Sequence, residues 1–466
     1  MKSEIKSILN VASANFLVMF IGIGQTLVLP NILEPIEYGY WSLYLLYVGY
    51  AGFTIFGFCD GFYLKYGGKK YDELDKRTFS SYHLVLLSYL LILLIIWCLG
   101  VGILLPNSKR SIVLICVGIG GVLACQNSYF ILLNQATARF SIYAKGNMLE
   151  KIIIITVALI CIFVPGISCF YIIVAALVGK LITTIYFTYY SREIVFAKPI
   201  FNATVWSSIL ENIGIGFTLT LSNIGATLIT GFGRFVIESK LGVEELGYYS
   251  LMFSVSALFT QLIYAISTVF YPIFRRVSES KAKLLLDKFD KLIVNLGGSI
   301  LILYYPARFF LELLFPKYHP AMECILFLFP IVICQGRMTI VYSTIFKVLR
   351  MERQLLKNVI FALVFCVVIT LGLFYIYPNK ETIALATYIS FLFWSAITVW
   401  RYNKIGSKKI KVLSADAIIS GIYIAINYAF GYSWKSFTVT FAVVFIYTVL
   451  KGKQIISIVK DFRAMM

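Results

Sequence analysis

Long uninterrupted runs of apolar residues follow one another along this chain, separated by short polar segments. The runs are about 20 residues long, which lets an α-helix cross the roughly 30 Å hydrocarbon core of a bilayer. Strands of a membrane barrel would instead alternate in polarity and measure about 10 residues. The pattern therefore predicts membrane-spanning helices.

Fourteen spans are predicted, and their order defines the expected architecture. They lie at residues 8–31, 37–63, 83–105, 111–137, 152–166, 168–190, 206–230, 246–273, 292–314, 320–346, 358–377, 381–400, 413–430 and 435–450. The first is too long for a cleaved signal peptide and has no small-residue cleavage site after it, so we expect it to be retained. The composition agrees, since 60% of residues are hydrophobic, 14% are charged and the mean hydropathy is +0.86. The expected fold class is an all-α polytopic membrane protein.

The distribution of basic residues predicts the orientation. With both termini in the cytoplasm, 31 of the 41 Lys and Arg residues face inward, 7 face outward, and Lys180, Arg308 and Arg337 lie within spans. This asymmetry follows the positive-inside rule. It also explains the net charge of +19, because basic loops beside a membrane attract anionic lipid headgroups. We therefore expect membrane lipids, and no nucleic acid, as partners.

Cysteine and histidine give no sign of a metal or cofactor site. All nine cysteines fall inside the predicted spans without a CxxC motif, and His83 and His319 are too few for a cluster. We expect the cysteines to be small packing residues, with no disulfide, metal or cofactor.

A short motif occurs twice and predicts an internal repeat. EYGYWSL at 37–43 and ELGYYSL at 245–251 are 208 residues apart and share five identical positions, and Cys-Gln at 125–126 recurs at 334–335, an offset of 209. Six spans separate the copies, so both halves cross the membrane in the same sense. We predict an N-lobe (1–195), a parallel C-lobe (196–402) and an appended helix pair (403–466). The alternative is two similar helix entries by chance.

The predicted loops are short, and this limits the function. No large external loop is available for a catalytic domain, as a membrane glycan polymerase would need, so an enzyme is the weaker alternative. A transporter whose site lies between two repeats near the midplane of the bilayer is favoured.

Two segments resemble bacterial polysaccharide repeat-unit flippases, the O-antigen and capsule exporters of the multidrug/oligosaccharidyl-lipid/polysaccharide (MOP) superfamily. One is 234–276, with Arg234, then LGYYS at 246–250, and Tyr-Pro followed by basic residues. The other runs from Ala14 through LPNILEPIEYGYWSLYL to Asp60-Gly61. Many members carry an acid before the arginine, where this chain has Gly233.

The resemblance implies a flippase in the bacterial inner membrane. It would move undecaprenyl-diphosphate-linked oligosaccharide from the cytoplasmic to the outer leaflet by alternating access, driven by a proton or sodium gradient. A polysaccharide polymerase and a chain-length regulator are the protein partners that this function suggests. The alternative is a lipid II or multidrug exporter of the same fold.

Two basic residues near the middle of predicted spans are the first candidates for contacting the substrate. An unpaired cation there costs about 2.5 to 3.5 kcal/mol on insertion scales, so Lys180 and Arg337 are expected to face a polar cavity. A guanidinium binds phosphate oxygens at two points. The hypothesis is that the two residues bind the diphosphate from opposite lobes, with Pro330 kinking the helix before Arg337. The alternative is that each pairs with a local acid and only stabilises packing.

Weaker candidates complete the expected site. Arg308 and Arg234 lie toward the outer ends of their spans, where Arg234 has Glu238 one turn on. Asp60 and Glu211 are the acids expected to couple a proton or cation. Amides that are candidates for lining a sugar path, or alternatively for holding helices together, are Gln25, Gln126, Asn127, Asn223, Gln261 and Gln335.

Overall fold

Helices account for all the regular structure in the part of the chain that the structure describes. The computed structural model describes residues 20–164, 166–275, 279–343, 346, 351–404 and 415–465. Within these ranges no strand occurs. The beginning of the first predicted span, including Ala14, lies outside the described residues. The all-α fold class is confirmed.

The first half of the chain contains eight helices among its described residues. They are α1 (Phe20–Ile32), α2 (Pro35–Gly49), α3 (Phe58–Tyr66), α4 (Lys76–Leu104), α5 (Lys109–Ala136), α6 (Phe140–Cys161), α7 (Cys169–Tyr190) and α8 (Arg192–Val195). Short 3₁₀ turns cover Ala51–Ile55 and Tyr71–Glu73.

The second half contains the longest helices. The described ones are α9 (Ala203–Lys240), α10 (Val243–Arg275), α11 (Glu279–Ile300), α12 (Tyr304–Leu314), α13 (Met322–Leu328), α14 (Ile331–Gly336), α15 (Glu352–Ile376), α16 (Lys380–Tyr402), α17 (Ala415–Phe430) and α18 (Trp434–Met465). The 3₁₀ turns are Leu301–Leu303 and Pro316–Ala321, and a π-helix covers Arg337–Tyr342.

Several of the described helices are long enough to span a membrane. Among the described residues, eight helical segments are long and apolar enough to cross a membrane, and α2 with α3 forms a ninth if this bent pair is one span. Each predicted span overlaps at least one described helix; 37–63 and 292–314 each overlap two, and 320–346 overlaps α13, α14 and the π-helix. The chain is thus a multi-pass membrane protein.

The second predicted span is broken into two helices. The axes of α2 and α3 differ by 61°. Between them Phe56 (φ 46°) and Gly57 (φ 80°) have left-handed backbone conformations, which an α-helix cannot include. The span predicted at 37–63 is therefore a broken helix.

Side chains from two neighbouring helices satisfy the backbone freed by this break. The Ala51 carbonyl accepts hydrogen bonds from the Thr54 hydroxyl (2.8 Å) and from the Cys125 thiol of α5 (3.4 Å). The Thr54 carbonyl accepts one from the Tyr89 hydroxyl of α4 (2.9 Å). Non-helical backbone at membrane depth requires such partners.

Contacts divide the chain into two compact units. The first comprises 1–224 with 242–247, and the second comprises 225–241 with 248–466, so α9 contributes to both. The core of the first is aromatic, with Phe62 and Tyr129 edge-to-face at 5.3 Å. In the second, α18 packs against α11. The lobe boundaries expected at 195 and 402 remain a prediction.

The two heptapeptide copies lie in equivalent structural positions. Each begins a helix, and each places its tyrosine ring beneath a lysine ammonium, Tyr40 with Lys109 at 5.0 Å and Tyr248 with Lys380 at 5.5 Å. The glycine is required at the second copy, because a Cβ on Gly247 would lie 2.5 Å from the carbonyl oxygen at position 35. The two copies of the repeat therefore have the same arrangement at the start of a helix, and the backbone there makes a close contact.

Candidate functional site

Lys180 lies on α7 and forms an ion pair with Glu150 of α6. Its Nζ donates to Glu150 Oε1 at 2.6 Å, and the two side chains are 13% and 27% exposed. The preceding residue, Gly179, permits this closeness, since a Cβ there would lie 3.0 Å from the Glu150 Cα. The lysine thus has the local acid that the packing interpretation requires, and it keeps some accessible surface.

Two further side chains fix the backbone of α7 at Lys180. Asn127 of α5 donates through Nδ2 to the Lys180 carbonyl (3.2 Å) and accepts through Oδ1 from the Thr184 hydroxyl (2.9 Å). Three helices therefore meet at one polar point. We call Asn127, Glu150, Lys180 and Thr184 the Lys180 cluster.

Gln126 directly precedes Asn127 of this cluster, but its side chain, unlike that of Asn127, has no hydrogen bond among the described residues. Its side chain is 3% exposed, and neither amide atom has a hydrogen-bond partner among the described residues. Leaving such a group unsatisfied costs about 1 to 3 kcal/mol. Gln25 of α1, by contrast, donates to the Lys151 carbonyl of α6 at 3.1 Å and connects two helices.

Arg337 is the first residue of the π-helix, and Asp290 of α11 binds it at two points. Nε and Nη2 donate to the two carboxylate oxygens at 2.9 and 3.1 Å, and the side chains are 1% and 2% exposed. Nη1 also donates to the Ser395 hydroxyl at 3.4 Å. The helix is interrupted at the expected Pro330, which lies between α13 and α14.

The acids that pair with the two central cations were missed because of where the predicted spans begin. Glu150 and Asp290 were assigned to loops before spans at 152–166 and 292–314, whereas α6 begins at residue 140 and α11 at residue 279. Charged residues lower the local hydropathy and so shorten a predicted span. The helix of the fifth predicted span therefore begins 12 residues before the predicted span does.

The remaining amides and arginines occupy separate environments. Gln335 accepts a 2.5 Å hydrogen bond from Thr260, and the Gln261 side chain lies outside the described residues. Arg234 lies over the ring of Phe253 at 4.6 Å. In the first unit, Gln126 lies next to Asn127 of the Lys180 cluster. In the second unit, Gln335 lies two residues before Arg337.

Arg308 of α12 has three polar partners. Its guanidinium donates to Glu312 (2.9 Å), to Glu323 (2.8 Å) and to the Tyr304 hydroxyl (2.8 Å). It also lies over the ring of Tyr432 at 4.6 Å. Partial burial raises the pKa of the Tyr432 hydroxyl, which stays protonated and donates to a backbone carbonyl at 3.1 Å. These contacts connect α12 to α13 and to Tyr432.

The two acidic candidates differ in accessibility. Asp60 is partly buried and accepts a 2.6 Å hydrogen bond from the Thr220 hydroxyl. Glu211 is 54% exposed and pairs with Lys65 at 2.6 Å. Exposed pairs of this kind contribute little to stability.

Metal-binding geometry is not found in the described part of the chain. No group of three or more His, Cys, Asp or Glu side chains there is placed to hold an ion, and the nine cysteines are free thiols. The polar groups available to a ligand are thus the cations, carboxylates and amides described above.

Comparison with known proteins gives the family and the fold. A family model described as polysaccharide biosynthesis protein matches residues 5–278. The fold is similar to that of the lipid II flippase MurJ in an inward closed conformation, with a TM-score of 0.71 and 12% identity over 95% of this chain and 97% of that chain.

Multidrug transporters have a related fold. An inward-facing multidrug resistance MATE transporter of the MOP superfamily gives a TM-score of 0.56 at 12% identity, covering 90% of this chain and 99% of that chain. A MATE in complex with MaL6 gives 0.56 at 13% identity, covering 85% and 96%. No curated protein sequence matches. Since the family model covers more than half of the sequence, this chain belongs to the polysaccharide biosynthesis protein family and has the fold of the MOP-superfamily transporters.

Proposed function

We propose that this protein is a flippase that moves an undecaprenyl-diphosphate-linked oligosaccharide repeat unit from the cytoplasmic to the outer leaflet. The observation that carries the proposal is the family match over residues 5–278 of a multi-pass chain. The substrate belongs to polysaccharide biosynthesis, and its diphosphate and glycan must cross hydrocarbon. Such a protein needs cations and hydrogen-bonding groups inside the membrane, while the lipid tail stays in the bilayer.

Lys180 is the proposed first contact of the diphosphate. In the ion pair with Glu150 its ammonium already donates to a carboxylate oxygen, and both side chains retain accessible surface. Phosphate oxygens are acceptors of the same kind and carry more charge. Exchange of Glu150 for the diphosphate therefore lets the substrate bind without leaving the lysine unpaired.

Arg337 is the proposed contact from the other predicted lobe. Its two-point geometry with Asp290 suits a phosphate group equally well. The pair is buried, so breaking it without a replacement costs about 3 to 5 kcal/mol. We infer that Arg337 engages the substrate only in a state in which the diphosphate replaces Asp290. The π-helix that begins at Arg337 supports a functional role, since such segments are frequent at functional sites.

Secondary roles are assigned to the other candidates. Gln126 and Gln335 are proposed to contact the glycan, because amides bind sugar hydroxyls as both donors and acceptors. Arg308 and Arg234, toward the outer ends of their helices, are proposed to act where the diphosphate leaves the site.

A gradient is the proposed source of energy. Asp60 and Glu211 are the candidate coupling groups, and partial burial with a single hydroxyl donor makes Asp60 the better of the two. A proton or a sodium ion bound there would change the charge in the first turn of α3. Exposure of Glu211 leaves its charge largely screened by water.

The proposed setting is the bacterial inner membrane with both termini in the cytoplasm. Lobes at 1–195 and 196–402, followed by the helix pair 403–466, are proposed to alternate access to the two sides. The activity is transport and not catalysis. A polysaccharide polymerase and a chain-length regulator are the proposed protein partners, since they act on the same intermediate.

Export of lipid II or of multiple drugs is the second candidate function. The likeness of the fold to MurJ and to MATE transporters favours it. Basic residues inside the membrane suit an anionic lipid-linked substrate better than an organic cation, so lipid II is the stronger form of this alternative.

Complementation tests the choice. The full chain is expressed in strains that lack a repeat-unit flippase and in a strain depleted of its lipid II flippase, each supplied with defined glycan intermediates. Restored surface polysaccharide in the first strains alone is expected. Rescue of the lipid II strain alone would reject the proposed substrate in favour of the second candidate.

A further inference from the structure

An apolar groove lies between α2, α4 and α5, next to the break in the second span. It encloses about 360 Å³, and its walls include Tyr47, Tyr50, Leu94, Trp97, Gly118 and Gly121. Space exists here because the chain leaves α2 in a 3₁₀ turn and then bends by 61° into α3. Gly118 lets the Trp97 side chain of α4 approach α5, because a Cβ at Gly118 would lie 2.7 Å from the Trp97 ring.

A second apolar cavity lies farther along α4, toward its other end. It encloses about 210 Å³ and shares Thr54 with the first cavity. Together the two follow α4 from Tyr82 to Trp97, a distance of about 22 Å at 1.5 Å per residue. We call the two cavities together the α4 groove.

The polar groups in the walls are already satisfied within the protein. The Trp97 indole donates to the Leu114 carbonyl (2.7 Å), and the Tyr89 hydroxyl donates to the Thr54 carbonyl (2.9 Å). At the far end the Tyr82 hydroxyl shares a 2.5 Å hydrogen bond with Ser208. These walls offer an occupant apolar contact, which selects a hydrocarbon over a sugar or a phosphate.

The groove opens on a face of the protein that meets lipid. On α4, Ile92, Ile95 and Ile96 are 57%, 59% and 60% exposed within a membrane-spanning helix. Exposed apolar side chains at this depth are in contact with hydrocarbon in a bilayer. A lipid chain can therefore enter the α4 groove sideways.

We propose that the α4 groove binds the polyprenyl chain of the transported lipid. This inference rests on the proposed function for the identity of the lipid. Half of the bilayer core is about 15 Å thick, so a phospholipid acyl chain is shorter than the roughly 22 Å of α4 that the two cavities line, and a polyprenyl chain is long enough to occupy both. The inner wall at Val122 of α5 is one helical turn from Gln126, so part of the groove wall lies near the proposed polar site.

Site-specific photocrosslinking tests this assignment in the full chain. A photoreactive benzoylphenylalanine replaces Leu94 inside the groove or, as the matched control, Ile92 on the same helix outside it. Each protein is placed in phosphatidylglycerol vesicles that contain tritiated undecaprenyl diphosphate, or tritiated phosphatidylglycerol at the same mole fraction. We expect about tenfold more undecaprenyl label at position 94 than at 92, a preference equivalent to roughly 1.4 kcal/mol.

Other outcomes overturn the proposal. Equal undecaprenyl labelling at the two positions would mean that the groove does not select this chain. Labelling of position 94 by phosphatidylglycerol as strong as by undecaprenyl diphosphate would make the occupant an ordinary membrane lipid. The result is independent of glycan export, so a negative outcome in a chain that restores export rejects the groove and leaves the proposed function intact.

A filling substitution connects the groove to transport. L94W adds bulk inside the groove, and I92W adds the same bulk on the lipid-facing side. We expect L94W to reduce glycan export about tenfold at normal protein level, with I92W unchanged. Equal export by both variants would contradict a role for the groove in transport.

Discussion

Arg337 and Asp290 form a buried two-point ion pair, with N–O distances of 2.9 and 3.1 Å between the π-helix and α11. The two residues are 47 positions apart in the chain, and both charges are removed from solvent. A pair in this situation is costly to break from one side, because the remaining charge has no partner.

We predict that D290N destabilises the protein by about 3 to 5 kcal/mol, because it leaves the Arg337 guanidinium buried without a countercharge. Denaturation by sodium dodecyl sulfate in mixed micelles measures the change. The matched control is E211Q, which removes the acid of the exposed pair with Lys65 and is expected to cost less than about 1 kcal/mol. Equal stability of the two variants would show that the buried pair does not hold α11 in place.

Removal of Lys180 should affect transport more than removal of its partner. K180A takes away the proposed diphosphate contact, and we expect glycan export in cells to fall at least about tenfold. E150Q leaves the ammonium in place, so export should fall by less than about fivefold. The exposed Lys435 provides the control variant K435A. Normal export by K180A at normal protein level would remove Lys180 from the mechanism.

Substitution of two glycines of α9 by alanine is expected to change the stability of the protein in opposite directions. A Cβ on Gly216 would lie 2.5 Å from the backbone nitrogen of Gly61, whereas one on Gly214 would meet no atom within 4 Å. We expect G216A to destabilise by about 1 to 3 kcal/mol through overpacking. G214A should stabilise by up to about 1 kcal/mol, because alanine favours the helix. Thermal unfolding in detergent distinguishes them, and similar melting temperatures would contradict the close approach of α3 and α9.

Gradient coupling separates the two acidic candidates. D60N removes a partly buried charge held by Thr220, and we expect gradient-driven flipping in vesicles to fall about tenfold. E211Q changes an exposed charge and should leave the rate within about twofold of the wild-type rate. The flipping rate is compared with and without an imposed proton or sodium gradient. A D60N protein that still responds to both gradients would exclude Asp60 as the coupling group.

Hydropathy predicted the helices well where a span has no internal charge. The spans expected at 111–137 and 381–400 agree within a few residues with α5 and α16. Apolar runs of this length have one stable state in a bilayer, since their backbone must form hydrogen bonds internally. The fold class therefore follows from the sequence.

Ion pairs between residues of different helices could not be predicted from local hydropathy. Glu150 and Asp290 lower the hydropathy of their own segments, and their partners lie 30 and 47 residues away. The pairing needs the packing of α6 on α7 and of α11 on the π-helix, which a local window does not contain. Lys180 and Arg337 were identified as unusual for the right reason, but their acids were placed in loops.

The break after α2 also depends on tertiary contacts. Gly57 permits a left-handed backbone, but Phe56 adopts one as well, and this is rare for a bulky residue. The hydroxyl of Tyr89 and the thiol of Cys125 provide the hydrogen bonds that make the break possible. Sequence alone gave no sign that these two side chains lie beside the same turn.

Flipping of a defined substrate in vesicles tests the central claim most directly. Purified wild-type chain and the K180A variant are reconstituted with a fluorescent undecaprenyl-diphosphate oligosaccharide or with fluorescent lipid II, and the fraction of label that reaches the opposite leaflet is followed by quenching. The account predicts that the wild-type protein flips the oligosaccharide lipid, that lipid II moves more slowly, and that K180A is at least about tenfold slower on the oligosaccharide lipid. Flipping of lipid II alone, or equal rates for wild-type and K180A proteins, would contradict it.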